Sequence, residues 1–207
     1  MATTEGLDLQ KVQLIRKLVL FVGIIVLLGL AAVTGPAGTP PVLPGGLKAL
    51  GLALIVICIV GRAWCSLYIG GRKKAEIVDR GPYSISRNPL YVFSFMGAFG
   101  MGAQSGSVVI AGLFLVVTYL VFRSTVKREE TWLAGEFGEP YLVYTKRTPR
   151  FWPKFSAWQD EEMLEVRPTF FLTTLWDGAV MLLAVPLFAL IAFGQAAGWL
   201  PVIIHLP

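Results

Sequence analysis

The chain has 207 residues, of which 55% are hydrophobic and only 15% charged, and its formal net charge is +5. A mean hydropathy of +0.67 and a charged share well under the roughly 25% of soluble domains exclude an ordinary soluble enzyme. They also turn the basic excess away from nucleic acid and toward membrane orientation, and the length admits one membrane bundle.

In chain order, the first apolar stretch runs from about Leu14 to Val33, followed by a stiff Pro-rich connector, Gly35–Gly46. A second runs from about Gly46 to Ile69, and a polar, basic segment follows. The third stretch, Pro89–Ala103, and the fourth, Val108–Phe122, each fall short of the about 20 residues a span needs. Together they read as a helical hairpin turned at Gln104-Ser105-Gly106-Ser107, with Gly97, Gly100 and Gly102 allowing close helix approach. From Phe122 to Phe137 the positions Phe122, Val126, Leu133 and Phe137 form a helical stripe, rimmed by Glu129 and Glu130. Gly138 ends that helix and Pro140 starts another, on which Tyr141 and Tyr144 share a face. The stretch Thr148–Pro153 is extended between its prolines, and Phe151 and Trp152 suit the headgroup level. A fifth span covers about Phe170–Phe193, and the apolar tail Gln195–Pro207, broken by Pro201, either lies in the interface or re-enters.

Lys and Arg test this topology. Lys11, Arg16 and Lys17 precede the first span; Arg72, Lys73, Lys74, Arg80 and Arg87 lie between the second and third; a dense basic set from Arg123 to Arg167 lies between the fourth and fifth. The intervening turns and the tail carry none, Lys48 and Arg62 being the exceptions. The alternation predicts an all-α, polytopic integral membrane bundle of about five spans, with the N-terminus and the polar segments on the cytoplasmic side. Glu5 and Asp8 dilute the basic region that a cleaved signal peptide requires. The expected organisation is a single membrane domain over 1–207: two spans in 1–69, a polar core in 70–153, and a linker, last span and tail in 154–207.

The chemistry concentrates in Gly81-Pro82-Tyr83-Ser84-Ile85-Ser86-Arg87-Asn88-Pro89-Leu90-Tyr91, a basic run between apolar segments where polar groups are costly. Arg62, inside the second span, either snorkels toward the interface beside Trp64 or orients a substrate. Cys58 and Cys65, seven apart, read as core thiols, and with His205 the single histidine no metal site is expected.

Gly81-Pro82-Tyr83, Arg87-Asn88-Pro89-Leu90-Tyr91, Glu129-Glu130, Phe137-Gly138-Glu139-Pro140-Tyr141, Tyr144 and Pro149-Arg150-Phe151-Trp152-Pro153 together resemble the isoprenylcysteine carboxyl methyltransferase family, which groups with the phospholipid methyltransferases. The resemblance covers roughly Arg62 to Pro153. It implies an integral membrane enzyme using S-adenosylmethionine, with cytoplasmic helical segments forming the cofactor pocket. Tyr83, Arg87, Asn88, Pro89, Tyr91, Glu129, Glu130, Tyr141 and Tyr144 become the cofactor-side candidates, and Arg62, Glu129, Glu130 and Arg150 the candidates for substrate chemistry. Asn88 stands where eukaryotic members have His, and Phe93 where a Gly often follows the motif tyrosine.

The residue types suit methyl transfer from a sulfonium, an in-line displacement governed by positioning and electrostatics. Arg87 can grip a carboxylate with a fork, a glutamate can accept from an ammonium or hydroxyls, and tyrosine faces attract a sulfonium. A carboxylate acceptor needs no general base, whereas an amine acceptor would make Glu129 or Glu130 the base. The expected substrate is lipid-like or prenylated, methylated at a carboxyl. Phospholipid amine methylation, an NADPH-dependent membrane reductase and a non-enzymatic membrane scaffold are the alternatives, and the oligomeric state is not legible.

Overall fold

The computed structural model describes residues 18–36, 42–72 and 75–206. Lys11, Arg16, Lys17, Lys73, Lys74, the start of the first span and part of the Pro-rich connector lie outside these.

Helix α1 (Leu18–Ala32) leads to a short strand β1 (Thr34–Pro36) and then α2 (Val42–Ile69). A single turn α3 (Pro82–Ile85) precedes α4 (Pro89–Ala103), α5 (Val108–Phe137) and α6 (Glu139–Arg147). A 3-10 turn at Phe155–Ala157 is followed by α7 (Pro168–Ala179) and α8 (Ala184–Ala196), joined by a tighter turn at Val180–Leu183, and the chain ends in β2 (Ile204–Leu206). Three helical stretches, Pro44–Ile69, Val108–Phe137 and Pro168–Ala196, are long and apolar enough to cross a membrane, with α1 and α4 as shorter apolar helices. The fold is the helical membrane bundle that the composition and the alternating apolar stretches lead one to expect.

Helix α2 packs most extensively against α4, and glycine makes that approach possible. A Cβ on Gly51 would sit 2.7 Å from the Gly100 carbonyl oxygen, and one on Gly100 would sit 2.5 Å from that of Gly51. The α4–α5 hairpin turns where its sequence directs: Gln104 Nε2 donates to the Lys48 carbonyl at 3.0 Å, and Ser107 caps α5 by accepting from the Ile110 amide. On the other flank α1, α5 and α8 share a core of Leu27, Ala31, Ile110, Phe114, Ala184 and Phe188. Cys58 and Cys65 are free and buried.

Two elements differ from the sequence reading. The fourth span and the helix carrying Glu129-Glu130 are one continuous helix of 30 residues. At 1.5 Å per residue it is about 45 Å long, so against a hydrocarbon core of about 30 Å its charged last third extends beyond the lipid. The tail forms β2, which pairs in parallel with β1 through Thr34↔Ile204, Gly35↔His205 and Pro36↔Leu206. Gln195 Nε2 reinforces the clasp by donating to the carbonyls of Ala31, Ala32 and Thr34 at 2.9–3.3 Å. The end of the bundle with this clasp carries Lys48 as its described cation. The opposite end holds Arg72, Arg80, Arg87, Arg123 to Arg128, Lys146 to Arg150, Lys154 and Arg167.

Candidate functional site

At the basic end, chain segments far apart in sequence converge on Glu130. Gly81 opens the motif with a positive φ of 54°, and a Cβ there would strike the Tyr68 ring. Glycine thus permits both the turn and the packing against α2. From this turn the chain runs beside 149–159: Gly81 N donates to the Gln159 carbonyl, Arg87 N to that of Pro149, and Lys154 N to that of Ile85, at 2.8–2.9 Å. Pro89, buried, occupies the first turn of α4, where its missing amide costs nothing.

Arg87 points inward. Its Nε donates to Glu130 Oε1 at 3.0 Å, and its Nη1 donates to the carbonyls of Thr145 and Thr148 at 2.8 and 2.9 Å. The guanidinium thus closes the C-terminal end of α6 while pairing a carboxylate on α5. Both side chains are nearly buried, at 11% and 12% exposure. Asn88 leaves α4 uncapped and turns its amide toward Glu130 Oε1 at 3.5 Å and the Arg150 carbonyl at 3.2 Å. Arg150 completes the arrangement from the far side, donating from Nε at 2.8 Å and Nη2 at 2.6 Å to Glu130 Oε2. The hydrogen bond to Glu130 raises the Arg150 pKa above its ordinary value. Glu130 is held between two guanidiniums, one buried and one 42% exposed.

Glu129, one residue earlier on α5, accepts from the Tyr91 hydroxyl at 3.2 Å. The Tyr91 ring packs on Phe122 at 4.9 Å between centroids. Phe95, one turn along α4, meets Phe151 at 5.4 Å and Tyr119 at 5.6 Å. Phe151 therefore forms part of an aromatic wall beside Glu129, while Trp152 is 87% exposed. Phe95 and Tyr119 were not singled out from the sequence, although Tyr119 lies three residues before Phe122 and Phe95 four after Tyr91, the spacings that share a helix face.

The tyrosines divide by role. Tyr144 donates to the Tyr83 carbonyl at 2.8 Å, which ties α6 to α3, and burial raises its phenol above the ordinary value. Burial also pushes Tyr141 up to about 12. Tyr83 is buried at 4% exposure, and its hydroxyl has no hydrogen-bond partner among the described residues. Its phenol is raised well above the ordinary value by burial, with lesser contributions from the neighbouring Cys65, Tyr144, Tyr91 and Glu129. A buried hydroxyl left without a partner costs about 1–3 kcal/mol, and this one lies near Tyr144, Tyr91 and Glu129.

Arg62 stands apart from the Glu130 cluster. Its Nη1 donates to Ser94 Oγ at 2.6 Å, Ser94 in turn donates to the Leu90 carbonyl, and the buried Arg62 Nε has no partner. The Glu130 cluster brings together two carboxylates, an exposed guanidinium and aromatic faces. Among the described residues no group of three His, Cys, Asp or Glu could hold a metal ion.

The phospholipid methyltransferase family profile matches residues 47–140. The chain is 34% identical over 161 residues to the nickel-cobalt-cadmium resistance protein NccN of Alcaligenes xylosoxydans xylosoxydans, covering 78% of this chain and 75% of that protein. It belongs to the phospholipid methyltransferase and isoprenylcysteine carboxyl methyltransferase-like membrane family. Another family relative is the cobalt-zinc-cadmium resistance protein CzcN of Cupriavidus metallidurans, 35% identical over 131 residues, 63% of this chain and 60% of that one. The protein-S-isoprenylcysteine O-methyltransferase of Schizosaccharomyces pombe is 31% identical over 90 residues, 43% of this chain and 38% of that one. No solved structure matches significantly. The profile match takes in Arg62, the 81–91 motif and Glu129-Glu130 but stops before Tyr141, Tyr144 and Arg150.

Proposed function

We propose that this chain transfers a methyl group from S-adenosylmethionine to a lipid-like carboxylate at the membrane–water boundary. The observation that carries the reading is the convergence on Glu130. Arg87 and Asn88, Arg150, and the Tyr91–Glu129 pair meet from three segments where α5 extends beyond its apolar portion. The positive-inside bias favours the cytoplasmic side for this end.

When bound, S-adenosylmethionine supplies an electrophilic methyl on a sulfonium. Around it, Arg150 is the exposed guanidinium able to grip an α-carboxylate. Arg87 is a positioning residue that holds Glu130 and the end of α6. Glu129 and Glu130 face the ammonium and hydroxyls, with Pro89 fixing the start of α4 beneath them. The faces of Tyr91 and Phe151 suit the cation, the unpartnered Tyr83 hydroxyl is a donor in waiting, and Tyr141 and Tyr144 close the wall.

For a carboxylate acceptor the balance is simple. An oxygen lone pair forms the O–CH3 bond, the S–CH3 bond breaks, its electron pair stays on sulfur as a neutral thioether, and no proton moves. This fits a site in which both Glu130 oxygens already accept from guanidiniums. Arg62, with one hydrogen bond and no ion pair among the described residues, favours an anionic acceptor over an amine.

Titration of the purified protein in detergent with S-adenosylhomocysteine and with NADPH tests the reading. Binding of the former is expected, and binding of NADPH alone would overturn it. Methyl-label transfer to a prenylcysteine, a fatty acid and an aminophospholipid then separates carboxyl from amine acceptors.

The names of two relatives favour a second reading at another level, that the reaction contributes to resistance to metals such as cobalt or nickel. A strain carrying the chain should then outgrow one carrying Arg150→Ala at elevated cobalt. Equal growth at equal expression removes this reading and leaves the methyl-transfer reading untouched.

A further inference from the structure

A separate cavity of about 250 Å³ opens on the other side of the α6 terminus, lined by Asp79, Ser84, Lys146, Arg147, Thr148, Lys154, Ala157 and Gln159. Thr148, whose carbonyl accepts from Arg87, borders both sites, while Arg87, Asn88, Glu129, Glu130 and Arg150 do not line it. Three cations face one carboxylate, and that carboxylate is engaged: Asp79 pairs with Arg147 and contacts Arg80 at 3.6 Å. Lys146 and Lys154 form no ion pair with any described residue. They come from opposite sides, the last turn of α6 and the residue before the 3-10 turn at Phe155–Ala157. The interior is polar but firm. Ser84 Oγ donates to the Gly81 carbonyl at 2.6 Å and accepts from the Gln159 amide at 3.1 Å, and the Thr148 hydroxyl, 2% exposed, donates to the Ser84 carbonyl.

The surroundings indicate where a ligand comes from. Trp158 stacks on Trp64 near the end of α2, with centroids 5.8 Å apart and planes 20° apart, so the turn bordering the cavity is docked at the level where α2 leaves the apolar zone. Phe155, beside Lys154, is 75% exposed, and Trp152 is 87% exposed. Large bare aromatics flanking unpaired lysines are at home among headgroups, where rings sit at the interface and cations meet phosphates.

We propose that this cavity binds a phosphate group, supplied by an anionic phospholipid of the adjacent leaflet, with Lys146 and Lys154 as its clamps. A tetrahedral phosphodiester between two ammonium groups gains two charge-assisted contacts, and its acyl chains continue past Phe155 into the bilayer. The site is independent of the methyl-transfer reading, and its test uses no methyl donor.

Calorimetry on the full chain in neutral detergent compares a short-chain phosphatidylglycerol, the phosphatidylcholine of equal chain length, and inorganic phosphate. Phosphatidylglycerol should bind at least tenfold tighter than either, and the Lys146→Gln/Lys154→Gln double variant should lose at least tenfold of that affinity. Both lysines are exposed, so the variant should melt where the parent does. Phe155→Ser should weaken the lipid and leave inorganic phosphate unchanged. Equal binding of phosphatidylcholine, or undiminished binding by the double variant, overturns the proposal. Inorganic phosphate binding as tightly as the lipid overturns the lipid source.

Discussion

Replacing Arg87 with alanine distinguishes a positioning guanidinium from one that merely waits for a ligand. The change deletes the contact to Glu130 and both contacts to the Thr145 and Thr148 carbonyls. Breaking a nearly buried pair costs about 3–5 kcal/mol when the surviving charge has no other partner. Here Glu130 keeps Arg150 and Asn88, so the lower end, about 3 kcal/mol, is expected. The loss is local, because Arg87 joins α4, α5 and the end of α6. Hydrogen exchange is therefore the assay: the Arg87 and Thr148 amides, bonded to the Pro149 and Tyr144 carbonyls, should exchange about a hundredfold faster. Arg87→Lys should fall between, since an ammonium keeps the charge and cannot reproduce the fork. Unchanged exchange at these amides in Arg87→Ala, together with lost S-adenosylhomocysteine binding, would refute the reasoning and return Arg87 to direct ligand contact.

Three further outcomes are expected. Tyr83→Phe should leave stability unchanged or raise it by up to about 1 kcal/mol, since it removes an unpartnered buried hydroxyl, while weakening S-adenosylhomocysteine severalfold; clear destabilisation in thermal melts contradicts it. Gly100→Ala should cost about 1–3 kcal/mol through overpacking against Gly51, read by denaturant titration in detergent, and an unchanged midpoint counts against close α2–α4 contact. Burial raises the Tyr141 phenol to about 12 in the folded protein, against an ordinary value of 10.0. Its contribution is complete below pH 10 and is lost as pH rises toward 12, so phenolate absorbance should lag that of the denatured chain, and coincident titrations would contradict it.

The parts of the fold written in local pattern were legible. The hairpin could be read because Ser107 caps α5 locally and Gly102 meets Ala111 just across the turn, and the end of α5 because Gly138 is a local stop. The continuity of α5 was harder to see: apolar and charged halves look like two segments, although nothing between Phe122 and Arg123 breaks a helix. The β1–β2 clasp joins residues 170 apart in number and leaves no periodic trace in two three-residue strands. The motif residues could be named, but their orientation could not. Whether Arg87 faces outward or inward depends on carbonyls of α6 placed by the Tyr144–Tyr83 bond, a contact between segments 61 residues apart.

The clasp has a mechanical consequence. Backbone hydrogen bonds and Gln195 tie the start and finish of the helical bundle at the end remote from Glu130, much as a rivet joins the blades of a fan. Fastened there, α1 and α8 keep their register, and any parting of those two helices is hinged at the clasp.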